Sequence, residues 1–213
     1  MPARVAAAAP APRLVLASAS PRRRELLARA GFAFEVEPAD IPEERAPEEA
    51  PEAFARRLAR EKVLAVAARA PGAVVLGADT IVVLGGDVLG KPRDPEHAVA
   101  LLSRLVGRAH VVVTAVAVCA GGVAREVAVA SEVRMRDATR DEIRAYVATG
   151  EPLDKAGAYG LQGEGRRFVV AVAGSETNVI GLPVAETVAL LRAAGVAPSA
   201  PAARDRGATA DRA

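Results

Sequence analysis

Residues 110–135 read HVVVTAVAVCAGGVAREVAVASEVRM. The run is dominated by valine, shows no helical period, and is interrupted only at Gly121-Gly122. It therefore predicts two long strands, His110–Ala120 and Val123–Met135, folded back as an antiparallel hairpin. A second, shorter hairpin is written at Ile81–Leu84, Gly85-Gly86 and Val88-Leu89. The flanking segments alternate between strand and helix. Arg13–Ala17 is a short apolar strand; Ser20 as N-cap and Pro21 at the first helical position then open a helix to about Ala30, which Gly31 stops. Phe34–Glu37 reads as a strand, and Pro51 to Arg69 as a helix with Phe54, Leu58, Val63 and Val66 on one face. Val74–Leu76 leads into Gly77-Ala78-Asp79-Thr80, and Asp94-Pro95 starts a helix through about Leu105. Thr139 and Glu142 form a capping box, Glu151–Gly165 is a glycine-containing loop, Arg167–Ala173 a last strand and Pro183–Ala194 a last helix. Purely parallel strand–helix–strand units contain no hairpins, so the class is α/β with a mixed sheet and flanking helices.

Composition narrows the function classes. The 213 residues carry 28 Lys+Arg against 26 Asp+Glu, and 51% are hydrophobic. That is a globular chain without the positive excess of a general nucleic-acid binder. Apolar runs such as Ala109–Ala120 fall well short of the ~20 residues needed to span a bilayer, so no membrane partner is expected. The single cysteine, Cys119, allows no internal disulfide, which points to a reducing, cytoplasmic location. Residues 1–12, rich in Ala and Pro, and residues 196–213 read as disordered extensions around one domain spanning 13–195.

Three features carry chemistry. The turn Ser18-Ala19-Ser20-Pro21-Arg22-Arg23-Arg24 joins a strand end to a helix N-terminus, where free N–H groups, hydroxyls and guanidinium forks suit a phosphate. By themselves these residues fit a solvated basic first turn equally well. Asp79 lies between apolar strand segments, a position for holding a divalent ion or orienting a water, though aspartate also forms plain turns. Of the 28 basic residues only Lys62, Lys91 and Lys155 are lysines. In a chain that prefers arginine, either their placement is chance or they mark places where a compact ammonium is wanted, and gathered in one cleft they would bind a polyphosphate. Glu35, Asp40, Glu43 and Glu44 offer hard oxygen ligands for Mg²⁺, although acidic loops more often only face solvent. His97 and His110 read as surface or strand residues, Cys119 as inert core, Tyr146 as packing and Tyr159 as a pocket wall.

With Arg60-Glu61-Lys62, Gly77-Ala78-Asp79-Thr80, Gly90-Lys91-Pro92-Arg93-Asp94, the long run Glu151–Gly163 (EPLDKAGAYGLQG) and Asn178–Pro183 (NVIGLP), the first of these motifs resembles the Maf family of nucleotide pyrophosphatases. The likeness covers roughly Arg13 to Leu191 in order. It implies an elongated mixed sheet of two lobes around a central cleft, similar to inosine triphosphatase. It also implies hydrolysis of a nucleoside triphosphate to monophosphate and pyrophosphate with a divalent metal, Mg²⁺ or Mn²⁺.

Carried onto this chain, the resemblance makes Asp79 the general base or water-orienting group. Ser18, Arg23, Lys62 and Lys91 become the triphosphate grip, and Glu43 joins Asp79 at the metal. Arg22, Thr80 and Gln162 stand at the base-choosing positions and look like the branch acting on dTTP and UTP. The branch acting on N-methylated GTP has Trp, Gln and Glu there. Gln162 suits the first choice physically, because a carboxamide donates and accepts at once, as the imide edge of uracil and thymine requires. A non-catalytic nucleotide-binding regulator of cell division is the alternative from another class, although it has no need of Asp79. Two departures from the family pattern are Pro42, where an acidic residue is frequent, and Glu176, where an aromatic is common. The sequence sets no oligomeric state and leaves a homodimer open.

Overall fold

The computed structural model describes residues 12–199. Its strands are β1 (Leu14–Leu16), β2 (Glu35–Val36), β3 (Val74–Leu84), β4 (Asp87–Leu89), β5 (Ala109–Ala120), β6 (Val123–Met135) and β7 (Val169–Ala173). Its helices are α1 (Pro21–Arg29), α2 (Pro51–Ala67), α3 (Pro95–Leu105), α4 (Arg140–Val147), α5 (Glu176–Ile180) and α6 (Val184–Ala193). All seven strands join one sheet in the order β2-β1-β3-β5-β6-β7, with β4 paired to β3. β1 runs parallel to β2 and β3, while β3–β4, β3–β5, β5–β6 and β6–β7 are antiparallel. The mixed sheet that the two hairpins demanded is therefore present.

Strand alternation sorts the core. Val15, Val75, Val113, Ala115 and Cys119 face α2 through Phe54, Leu58, Val63 and Val66. Leu14, Leu16, Leu76, Val116 and Val118 point the other way, onto Leu26 and Leu27 of α1 and Leu191 of α6. A third cluster packs the opposite end of the long strands: Val82, Val112 and Val133 meet Leu102 and Leu105 of α3, Ile143 and Tyr146 of α4, and Phe168. Each fully buried leucine contributes about 1.5–3 kcal/mol. The middle of β3, with Asp79 and Thr80, lies between these cores.

Gly77 sets how closely α2 approaches β3. A Cβ there would stand 2.8 Å from Val63 Cγ1 and 3.3 Å from the Ala59 carbonyl oxygen. Only glycine lets the helix come near enough for Lys62 to reach the strand.

Several sequence expectations change. Asp79 does not separate two strand segments, because β3 runs unbroken through Gly77–Thr80 and bonds to β5 along its length. The expected loop Glu151–Gly165 contains 3-10 turns at Glu151–Asp154 and Ala156–Ala158, and a third spans Glu164–Phe168. α5 is a helix the pattern did not announce; Ser175 caps it, accepting from the Asn178 N–H. The chain also stays packed past Gly195. Val196 is buried, and the Ser199 N–H donates to the Gly31 carbonyl at 2.8 Å. The remaining expected extensions, residues 1–11 and 200–213, lie outside the described residues.

Candidate active site

The first turn of α1 is built as the sequence implies: Ser20 Oγ accepts from the Arg23 N–H and Pro21 occupies the first helical position. Arg23, however, does not sit in a solvated basic turn. Its guanidinium bends inward, Nε donating to the Gly181 carbonyl (2.9 Å), Nη1 to Ser18 Oγ (3.2 Å) and Nη2 to Thr80 Oγ1 (3.0 Å). Among the described residues no carboxylate lies within ion-pair distance of it. Burial pushes Arg23 below the ordinary arginine value, against the pull of the Asp79 charge. A partly enclosed cation held only by neutral acceptors is an anion site in waiting.

Across the cleft, Lys62 Nζ lies 2.6 Å from Asp79 Oδ1 and 2.6 Å from Glu43 Oε1. Asp79 and Lys62 are both buried, whereas Glu43 is exposed. Burial raises the Asp79 carboxyl above the usual aspartate value, and the Lys62 and Arg23 charges offset only part of that rise. For Glu43 burial acts in the same direction, but the Lys62 hydrogen bond and the charges of Lys62, Lys91 and Arg23 together prevail and hold it low. Arg57 braces the Glu43 segment, donating to the Glu44 carbonyl at 2.8 Å and, as a fork, to the Glu49 carboxylate at 2.7 and 2.8 Å.

The nine residues to which the family resemblance gave roles line one cavity of about 550 Å³: Ser18, Arg22, Arg23, Glu43, Lys62, Asp79, Thr80, Lys91 and Gln162. Lys155, Asp154 and Tyr159 join the wall. Arg22 bridges to Asp154 at 3.1 Å, and Lys155 holds the other oxygen of that carboxylate at 2.7 Å. Of the four acidic candidates, Glu35, Asp40 and Glu44 stay outside the cavity, and Glu35 is spent on Arg13 at the surface. Of the two readings open for His110, surface or strand, the strand holds: it lies buried in β5, its Nε2 meets the Tyr159 hydroxyl at 2.7 Å, and burial pushes it down to about 4. Thr114 and Asn178, fully buried behind Thr80, were not legible as site residues. A threonine in a valine-rich strand looks like any β former, and only its cross-strand pairing with Thr80 reveals it.

Among the described residues no three or more His, Cys, Asp or Glu gather to cage a metal. Two carboxylates on one cavity wall nonetheless fit a hard cation that takes most of its remaining oxygens from substrate phosphates and water. No described helix is long and apolar enough to cross a membrane.

Comparison with known proteins places these features in a family. The family model described as Maf-like protein matches residues 13–194. A relative from Anaeromyxobacter dehalogenans (strain 2CP-1 / ATCC BAA-258), called dTTP/UTP pyrophosphatase, is 57% identical over 189 residues, covering 87% of this chain and 95% of its own. A Myxococcus xanthus (strain DK1622) protein of the same name is 55% identical over 86% of this chain and 93% of its own length. Another from Escherichia coli O157:H7 is 51% identical over 84% and 91% respectively.

Proposed function

The chain belongs to the Maf family, and from that premise we propose that it hydrolyses nucleoside triphosphates, dTTP and UTP in preference, to the monophosphate and pyrophosphate. The observation that carries the reading is Arg23: a guanidinium with no carboxylate partner among the described residues, facing the same cavity as the raised carboxyl of Asp79. Names borne by relatives supply the substrate; the cavity supplies the means.

The cavity wall holds five basic side chains, Arg22, Arg23, Lys62, Lys91 and Lys155, against the acids Glu43, Asp79 and Asp154. That excess suits a triphosphate. Ser18 Oγ, the Arg23 fork, Lys62 and Lys91 grip the phosphate chain beside the N-terminus of α1. Glu43 and Asp79 would hold a divalent cation, Mg²⁺ or Mn²⁺, which neutralises phosphate charge when bound. Asp79 holds a water by one carboxylate oxygen and accepts its proton as the water oxygen bonds to the α-phosphorus. The bond from that phosphorus to the bridging oxygen breaks, and pyrophosphate departs with the electron pair, its charge met by lysines. Burial makes Asp79 a stronger base than a free aspartate, while the Lys62 charge and hydrogen bond pull the other way and favour its ionised form.

Arg22, Thr80 and Gln162 choose the base. Gln162 lines the cavity with a carboxamide able to donate to a carbonyl and accept from the adjacent ring N–H. Cys119 is a free, buried thiol, in keeping with a reducing cytoplasm. The test is pyrophosphate release from a panel of canonical and N-methylated triphosphates, with and without Mg²⁺ or Mn²⁺. dTTP and UTP are expected to lead, and Asp79→Asn to bind nucleotide but lose turnover by about 10²-fold or more. Near-normal turnover in that variant would remove Asp79 from the mechanism.

A further inference from the structure

We propose that Thr114, which touches no cavity surface, is a positioning residue for the phosphate grip: it fixes the direction of a hydrogen-bond chain that orients Arg23. The proposal rests on the pyrophosphatase reading above and deepens it. Every link has a defined donor. Asn178 is anchored first: its Nδ2 donates to the Val112 carbonyl (3.0 Å) and Ser131 Oγ (2.9 Å), and its Oδ1 accepts from the Thr114 N–H (3.1 Å). The Thr114 hydroxyl donates to the Asn178 carbonyl at 2.8 Å, since a carbonyl only accepts. A hydroxyl has one proton, so toward Thr80 the Thr114 oxygen is an acceptor, and the 3.0 Å contact between the two hydroxyls runs from Thr80 to Thr114. The Thr80 proton is thereby committed inward. Its oxygen faces Arg23 as an acceptor and takes Nη2–H at 3.0 Å.

The polarity of the chain matters because both threonines sit where rotation would otherwise be free. Thr80 and Thr114 are directly opposed in the β3–β5 ladder, so the backbone register holds their oxygens together. With Gly181 O and Ser18 Oγ, Thr80 Oγ1 is one of three acceptors that set the plane of the guanidinium, leaving its other N–H groups for a ligand. Replace Thr114 by valine and Thr80 loses its inward acceptor. Its proton then competes with Nη2–H for the same space, and the fork loses its fixed orientation. A second consequence follows: in the native chain Thr80 presents only a lone pair to the cavity, so it offers no proton to a nucleobase.

The experiment separates grip from base reading by using inorganic tripolyphosphate, which has phosphates and no base. Calorimetry measures tripolyphosphate binding to the wild-type chain, Thr114→Val, Thr114→Ala and Thr114→Ser; steady-state kinetics gives KM and kcat for dTTP and UTP. Loss of a hydrogen bond that orients a charged group predicts about tenfold weaker tripolyphosphate binding in Thr114→Val. KM for dTTP and UTP rises by the same factor, their ratio stays unchanged, and Thr114→Ser remains within about twofold of wild type. Urea midpoints verify that each variant is folded, and Thr114→Ala replaces Thr114→Val if the latter packs badly. Unchanged tripolyphosphate binding in a folded valine or alanine variant overturns the proposal. So does a loss seen only in the dTTP-to-UTP ratio, or a serine variant as impaired as valine. A wild-type chain that binds tripolyphosphate yet hydrolyses no triphosphate sinks the pyrophosphatase reading, while the binding comparison still decides the role of Thr114.

Discussion

Lys62→Met removes the one ammonium that two carboxylates share. The Lys62 and Asp79 side chains are each 9% exposed, whereas that of Glu43 is 43% exposed. Glu43 can swing into water when its partner goes, and contributes under about 1 kcal/mol. Asp79 cannot, and breaking a buried pair by deleting one partner costs about 3–5 kcal/mol. The expected loss is therefore near the low end, about 3 kcal/mol. Burial already raises the Asp79 carboxyl above its unfolded value, and losing Lys62 raises it further. A carboxyl whose folded pKa lies above its unfolded one takes up protons first in the folded state. The deficit is thus complete above that folded pKa and shrinks as pH falls through it. Urea unfolding at about pH 8 and again near pH 5, for wild type, Lys62→Met and Lys62→Met/Asp79→Asn, reads this out. The double variant should recover most of the loss at the higher pH. A single variant as stable as wild type at pH 8, or a deficit that grows on acidification, refutes the argument.

Other perturbations have equally definite signs. His110 is held down to about 4 by burial, against 6.5 when unfolded. The unfolded chain therefore gains a proton first, and this residue alone should withdraw about 2 kcal/mol of stability between pH 7.5 and 5, absent in His110→Gln by urea unfolding. Gln162→Glu should cut kcat/KM for dTTP and UTP selectively, because a carboxylate cannot donate to a base carbonyl; an equal loss on every nucleotide would refute base reading. Gly77→Ala should cost about 1–3 kcal/mol and lower activity together, since the added Cβ forces α2 away from β3 and parts Lys62 from Asp79. Thermal unfolding with the dTTP assay checks both halves.

Much of this molecule was legible wherever one residue acts on its neighbours in the chain. Ser20 with Pro21, Asp94 with Pro95, and Thr139 with Glu142 cap their helices as their spacing requires. Lysine scarcity likewise pointed into the cleft: Lys62, Lys91 and Lys155 all line it. What escaped depends on partners far apart in sequence. His110 reads as a surface or strand residue and does lie in β5, but its pairing with Tyr159, 49 positions away, carries no signal in the sequence. Thr114 carries no signal of its own, and its role exists only because the β3–β5 register sets it against Thr80 and α5 brings Asn178 behind it. α5 itself, five residues long, is too short for a helical period, although its Ser175 cap was there to be read. Asp79 lies inside a strand because Gly77 and Ala78 continue the ladder with β5, a continuity that an aspartate, equally able to form a plain turn, does not announce.

The most direct measurement follows the oxygen. Hydrolysis of dTTP in ¹⁸O-labelled water, with mass analysis of both products, locates the phosphorus that water attacks. Asp79 aiming solvent at the α-phosphorus predicts one labelled oxygen in the nucleoside monophosphate and none in the pyrophosphate. Label in pyrophosphate, or release of orthophosphate in its place, would contradict the account.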